Sequence, residues 1–141
     1  MSGISNLKKV ALDSNIFIYY FNESSQFGTA SKLIFDALAE NELRAITSIT
    51  TLIEMLSSKK LSDQAAKDIV KKVLTIPNLT ILDIDQKIAV GAAKIRRIYG
   101  FRTPDAIQLA TAIQEKAEVF ITNDRKTKVV KELKVLMLSS L

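Results

Sequence analysis

The stretch Lys8-Lys9-Val10-Ala11-Leu12-Asp13-Ser14-Asn15-Ile16-Phe17 sets one acid between two apolar runs. Val10 to Leu12 reads as a short strand, and the apolar and aromatic run from Ile16 to Phe21 reads as the helix that follows, with Asp13 or Ser14 available to cap it. A strand feeding a helix is the opening unit of an α/β domain. Alone, the acid needs no explanation beyond capping. Its meaning depends on what else the chain sends to the same place.

The same order recurs along the chain. Thr29 to Leu38 puts Ala30, Leu33, Ile34, Ala37 and Leu38 on one helical face, with Asn41 ending it. Arg44 to Ser48 is a strand that leads into a helix over residues 50–56. Ser62 caps a helix through Leu74 that turns Ile69, Val70, Val73 and Leu74 inward; Pro77 forbids its continuation, and Leu79 to Leu82 is the next strand. Asp85 caps a helix to Tyr99, with Ile88, Ala92, Ile95 and Tyr99 on one face and Gly100 as a left-handed terminator. Thr103-Pro104-Asp105 starts another, with Thr as cap and Pro at the first helical position, burying Ala106, Leu109, Ala110 and Ile113. Val119 to Ile121 is a strand, Thr122-Asn123-Asp124 a turn, Val129 to Leu133 a short helix, and Val135 to Leu138 a final strand. This alternation predicts an α/β fold with a mostly parallel central sheet flanked by helices. All strands of such a sheet end on one edge, and ligands bind beyond it.

A chain of 141 residues suits one domain, expected to span 1–141. Apolar residues make up 48% against 25% charged, which supports a substantial core. Lys and Arg outnumber Asp and Glu by 20 to 15, and the net charge of +5 permits a polyanionic partner without requiring one. No run of about eighteen apolar residues is present to span a bilayer, and no charged amino-terminal region precedes a long apolar stretch, so a cytoplasmic protein with no membrane association is expected. Cysteine and histidine are absent, which excludes disulfides, thiol nucleophiles, Ser/His/Asp triads, an imidazole base and the usual zinc sites. Any chemistry rests on carboxylates, hydroxyls, lysines or arginines.

Four acids occupy edge positions. Asp13 follows the first strand, and Glu54 follows the second, three residues after Thr51 as in a capping box. Asp105 lies in a first helical turn, where the helix dipole favours an anion by about 0.3 to 1 kcal/mol, and Asp124 lies in a turn after a strand. Each has an ordinary structural reading, and those readings do not predict that all four reach one edge. Carboxylates gathered there repel and raise one another's pKa unless a cation neutralises them. An all-oxygen ligand set suits Mg2+ or Mn2+, which also coordinate phosphate oxygens and promote phosphodiester hydrolysis. Asp13 as a ligand would leave Ser14 and Asn15 to do the capping. Lys8, Lys9, Arg96, Arg97, Arg102, Arg125, Lys126 and Lys128 are the cations available to hold a nucleic-acid backbone. A phosphatase with an aspartyl nucleophile at Asp13 would carry a second acid two residues on, where Asn15 stands.

In order, Leu12-Asp13-Ser14-Asn15-Ile16-Phe17, Thr51-Leu52-Ile53-Glu54-Met55-Leu56, Thr103-Pro104-Asp105-Ala106-Ile107-Gln108-Leu109-Ala110-Thr111-Ala112 and Phe120-Ile121-Thr122-Asn123-Asp124 resemble the PIN-domain nucleases. Within them, the chain is similar to the small VapC-type ribonuclease toxins of toxin/antitoxin pairs, over nearly its whole length. The resemblance implies a three-layer α/β/α fold and an Mg2+- or Mn2+-dependent endoribonuclease. It implies Asp13, Glu54, Asp105 and Asp124 as catalytic acids, with Asp13, Asp105 and Asp124 on the metal and Asn15 and Thr122 supporting them by hydrogen bonds. It also implies an RNA substrate, a homodimer, and a cognate antitoxin that covers the site and grips the helical region from Ala30 to Leu74. Family members often carry a further acid just after the Thr-Asn-Asp turn; here Arg125-Lys126-Thr127 follows, so a second metal position lacks its acid. That departure keeps open a PIN module that binds RNA or a protein partner without cutting.

Overall fold

The computed structural model describes residues 4–22 and 26–141. Its elements are β1 (Lys9–Leu12), α1 (Ser14–Phe21), α2 (Gly28–Ala39), β2 (Arg44–Ser48), α3 (Thr50–Met55), α4 (Asp63–Leu74), β3 (Leu79–Leu82), α5 (Gln86–Tyr99), α6 (Thr103–Gln114), β4 (Val119–Thr122) and β5 (Val135–Met137). Two 3-10 helices, at Arg125–Val129 and Leu138–Ser140, flank β5. The strands form one sheet in the order β3-β2-β1-β4-β5, and every pairing is parallel.

The two-residue period of the strands sorts their side chains into two cores. Val10, Leu12, Val119 and Ile121 pack on one face with Ile16 and Phe17 of α1 and Ile34, Phe35 and Leu38 of α2. Ala11, Ile46 and Phe120 pack on the other with Ile88, Ala92 and Ile95 of α5 and Ala106, Leu109 and Ala110 of α6. Strands buried on both faces read as continuous apolar runs, which is why β1 and β4 look alike in sequence. The result is three layers, α/β/α.

The order of connection matters for function. From β1 the chain steps outward to β2 and β3, then crosses back to place β4 on the other side of β1. The gap beyond the carboxyl ends of β1 and β4 is thus a topological switch point, where neighbouring loops diverge and leave a crevice. Val10, Ala11 and Leu12 pair in register with Val119, Phe120 and Ile121, and the Asp13 N–H donates to the Ile121 carbonyl at 3.0 Å. Asp13 and Thr122 therefore leave the sheet side by side.

Several local expectations are corrected. No helix spans Val129 to Leu133; the chain instead makes its 3-10 turn at Arg125–Val129, because Asp124 accepts from the Lys126 N–H and from the Thr127 hydroxyl and starts the turn early. Val130 is then extended and buried, and the chain passes to β5 without further helix. That strand stops at Met137 rather than Leu138, which enters the second 3-10 helix fully buried. In α4 only Val73 is fully enclosed, and Leu74, 100° around the helix, is 64% exposed because the helix packs along a narrow stripe. Ile113 of α6 is half-buried. Arg102, not Thr103, is the N-cap of α6, which shifts Pro104 inward by one place. Ile49 precedes α3 with no side-chain cap, so Glu54 is not part of a capping box. Gly100 does terminate α5, at φ 78°. Among the described residues no helix is long and apolar enough to cross a membrane.

Candidate active site

Asp13 is 7% exposed and caps α1 itself. One carboxylate oxygen accepts from the Ser14 N–H at 2.8 Å and the other from the Thr122 hydroxyl at 2.6 Å. Burial raises its pKa to about 6, against the lowering effect of the Thr122 and Ser14 hydrogen bonds, and the charges of Glu54 and Asp105 push it the same way as burial. Capping therefore does not fall to Ser14 or Asn15. Ser14 is freed for another partner: its hydroxyl donates to Glu54 Oε2 at 2.9 Å, tying α1 to α3.

Thr122 joins the next acid. While donating to Asp13, its oxygen accepts from the Asp124 N–H at 3.0 Å, and Asn15 Nδ2 approaches it at a long 3.5 Å. The side chain of Asp124 turns to cap the following 3-10 helix, accepting from the Lys126 N–H at 3.1 Å. Asp105, in the first turn of α6, has Arg102 Nε 3.7 Å from one of its oxygens. Asp105 and Asp124 line one cavity of about 440 Å3, together with Gly100, Phe101, Arg102 and Lys126. Glu54 lines another, of about 330 Å3, among Ile18, Phe21, Met55, Leu61 and Ile69.

The acids thus reach one edge as a linked series, Glu54 to Ser14 to Asp13 to Thr122 to Asp124, with Asp105 lining the same cavity as Asp124. They are not drawn into a tight ligating set. Among the described residues, no three Asp, Glu, His or Cys side chains converge closely enough to hold a metal ion. The donor chemistry nevertheless fits a hard divalent cation. Glu54 Oε1 and Asn15 Oδ1 are buried acceptors with no hydrogen-bond partner, a costly state for an oxygen inside a protein, and the Asp13 carboxylate is desolvated beside two like charges.

A second polar chain supports these residues, and the sequence reading missed it. Gln108 is 2% exposed; its Nε2 donates to the Thr51 hydroxyl at 2.8 Å. Thr51 and Thr47 are joined at 2.6 Å, and the Thr47 hydroxyl donates to the Leu12 carbonyl at 2.8 Å. Because Thr47 gives its proton to Leu12 and Thr51 receives one from Gln108, Thr51 must be the donor between the two hydroxyls. The chain runs from α6 through α3 and β2 to the residue preceding Asp13. Its signal in the sequence was a glutamine among Ala106, Leu109 and Ala110, a polar residue on an apolar stripe. Lys8 and Lys9, by contrast, stand at the amino end of β1 on the opposite edge, where Lys9 Nζ donates to the Glu115 carbonyl at 2.7 Å, and they lie outside the site.

The sequence matches the PIN domain family over residues 10–133. No curated protein matches it. Solved structures with a similar fold include VapBC2 from Rickettsia felis bound to a DNA fragment from its promoter, at TM-score 0.72 and 22% identity over 92% of this chain and 98% of that one. DNA-bound VapBC from Salmonella typhimurium aligns with TM-score 0.71 and 20% identity over 94% and 99%. A toxin-antitoxin complex from Klebsiella pneumoniae aligns with TM-score 0.67 and 21% identity over 92% and 97%. At such identities the likeness to these structures is one of fold. The family match is of sequence, and it runs from β1 to the approach to β5 and takes in all four edge acids: the chain belongs to the PIN domain family.

Proposed function

We propose that this chain is an Mg2+- or Mn2+-dependent endoribonuclease and the toxin of a toxin/antitoxin pair. The observation that carries the reading is Asp13, a carboxylate buried at the switch point of a parallel sheet and opposed there by the charges of Glu54 and Asp105. Asp13, Asp105 and Asp124 would hold the ion, with Thr122 and Asn15 orienting them. When bound, the ion supplies positive charge that stabilises a phosphodiester under attack. The raised pKa of about 6 that Asp13 has without the ion sets its proton in competition with the ion. Glu54, fixed through one oxygen by Ser14 and bare at the other, is the residue placed to take a proton from the attacking water. Thr122 keeps Asp13 and Asp124 in mutual register through a single hydroxyl.

The partner part of the proposal is an antitoxin, since the relatives of similar fold were solved as VapBC and toxin-antitoxin complexes. The apolar cavity beside Glu54 offers such a partner a seat adjoining the acids; it draws on Ile18 and Phe21 of α1 as well as on the expected stretch from Ala30 to Leu74. A homodimer, a cytoplasmic location and a single domain over 1–141 complete the reading.

The test is cleavage of a panel of structured RNAs with Mg2+ or Mn2+ by the native chain and by Asp13→Asn. Metal-dependent cutting that the variant loses while staying folded supports the proposal; equal cutting by both sinks it. The linked but open arrangement of the acids favours one alternative, a module that binds RNA or protein without cleaving. A Mn2+ titration separates them, because an ion that binds only the folded state must raise the melting temperature. No rise favours the binding module.

A further inference from the structure

Beside the cavity shared by Asp105 and Asp124 lies a second, of about 380 Å3, lined by Ala93, Arg96 and Arg97. Gly100 and Phe101 line both, so the two adjoin at the turn between α5 and α6 and are taken together as a basic trough. Its geometry depends on Gly100: the left-handed φ of 78° lets α5 stop and α6 begin at Thr103, so the last turn of α5, with Arg96 and Arg97, is joined to Arg102 by a short turn. One of the guanidinium groups is already oriented: Arg96 Nε donates to the Phe101 carbonyl at 3.2 Å. Arg102, exposed, has its Nε 3.7 Å from Asp105.

The other side of the acids is different. The cavity beside Glu54 is mainly apolar, and Lys60 is the one cation lining it. Among the described residues, four cations line the two cavities on the side of Asp105 and Asp124, and Lys60 lines the cavity beside Glu54.

We infer that the trough of Lys126, Arg102, Arg97 and Arg96 carries the backbone phosphates of a single-stranded RNA on one side of the acids, an inference that rests on the nuclease reading. A polyanion approaching Asp105 and Asp124 meets repulsion unless cations stand beside them, and here they line the same cavity. Guanidinium groups match phosphate oxygens with a planar fork of donors, and a group already held loses less freedom on binding. The trough thereby sets the direction in which the strand leaves the acids, away from the apolar cavity.

The test is the salt dependence of RNA binding, read by fluorescence anisotropy with a labelled twelve-nucleotide single strand in EDTA, in the Asp13→Asn background. Each phosphate contact removed should lower the slope of log affinity against log salt by roughly 0.7. Arg102→Gln with Lys126→Gln should therefore lose roughly 1.4, and Arg96→Gln with Arg97→Gln a similar amount. Lys8→Gln with Lys134→Gln removes the same charge from the amino edge of the sheet and should leave the slope unchanged. Equal losses in all three pairs, or none in the trough pairs, overturn the track, and the second result would leave the trough to an acidic protein segment. Those results leave intact the nuclease reading, which the metal-dependent cleavage assay judges separately. No RNA binding by the native chain, with or without Mg2+, overturns both.

Discussion

Asp13 is at once a helix cap and a carboxylate whose charged form burial disfavours. Its folded pKa, raised by burial to about 6, lies above the ordinary value of 3.8, so the folded state takes up a proton more readily than the unfolded one. Stability from this group is then fully present below about pH 4 and is lost as pH rises through about 6, a cost of about 3 kcal/mol in the metal-free protein. Asn caps a helix as well as Asp does. Asp13→Asn in EDTA should thus melt several degrees above the native chain at pH 8 and close to it at pH 4, measured by circular dichroism; a gap independent of pH would contradict the burial argument. Metal binding should follow the same titration, with Mn2+ stabilising the native chain less at pH 5 than at pH 7.5 because the ion competes with the Asp13 proton. Gly100 is a simpler case. Nothing lies within 4 Å of a Cβ placed there, so Gly100→Ala meets no clash and pays only for its φ of 78°, about 1 kcal/mol in a urea melt.

Between elements, the polar chain through Gln108 is the part of the molecule that binds α6 to α3. Asp105 lies three residues before Gln108 and Glu54 three after Thr51, so the bond from Gln108 to Thr51 ties together the two helices that carry those acids. Gln108→Leu keeps the volume but leaves the Thr51 hydroxyl with its bond to Thr47 alone and removes the acceptor of the Ser48 N–H, at an expected cost of about 1 to 3 kcal/mol. Thr51→Val should cost less in the same background than in the native chain, since one of its two partners is already lost; a fully additive pair in a double-mutant cycle would show that the bond does not couple the helices. Ser14→Ala isolates a different tie. It frees Glu54 Oε2 without disturbing the Asp13 cap, and should lower the cleavage rate more than the stability, which falls by about 1 kcal/mol.

Across the whole molecule, the parallel sheet, its flanking helices and the ends of most elements were legible because the signals are local: two-residue alternation, one-faced helices, Ser62 and Asp85 as caps, Gly100 as terminator. The errors have a common physical origin. Val129 to Leu133 carries helical spacing, yet Asp124, acting as a cap, fixed the chain into a tighter turn four residues earlier. Leu74 looked inward by periodicity alone, and only packing decides how wide a stripe a helix buries. Asp13 and Asp124 were visible as positions after strands and Asp105 as an acid in a first helical turn, whereas Gln108, Thr51 and Thr47 belong to three separate elements, and nothing in one of them names the others. Lys8 and Lys9 were grouped with the site by charge and separated from it by strand direction.

The hydrogen bond between Asp13 and Thr122 spans 109 positions of chain. Proteins are made from the amino end, and β1 can pair with β2 long before β4 exists. A growing chain that has passed β2 and even α6 therefore holds Asp13 with neither its hydroxyl partner nor Asp124 beside it. The four acids can share an edge only once β4 and the turn after it have been made, so on the proposed nuclease reading a chain halted before Thr122 carries Asp13 without an assembled site.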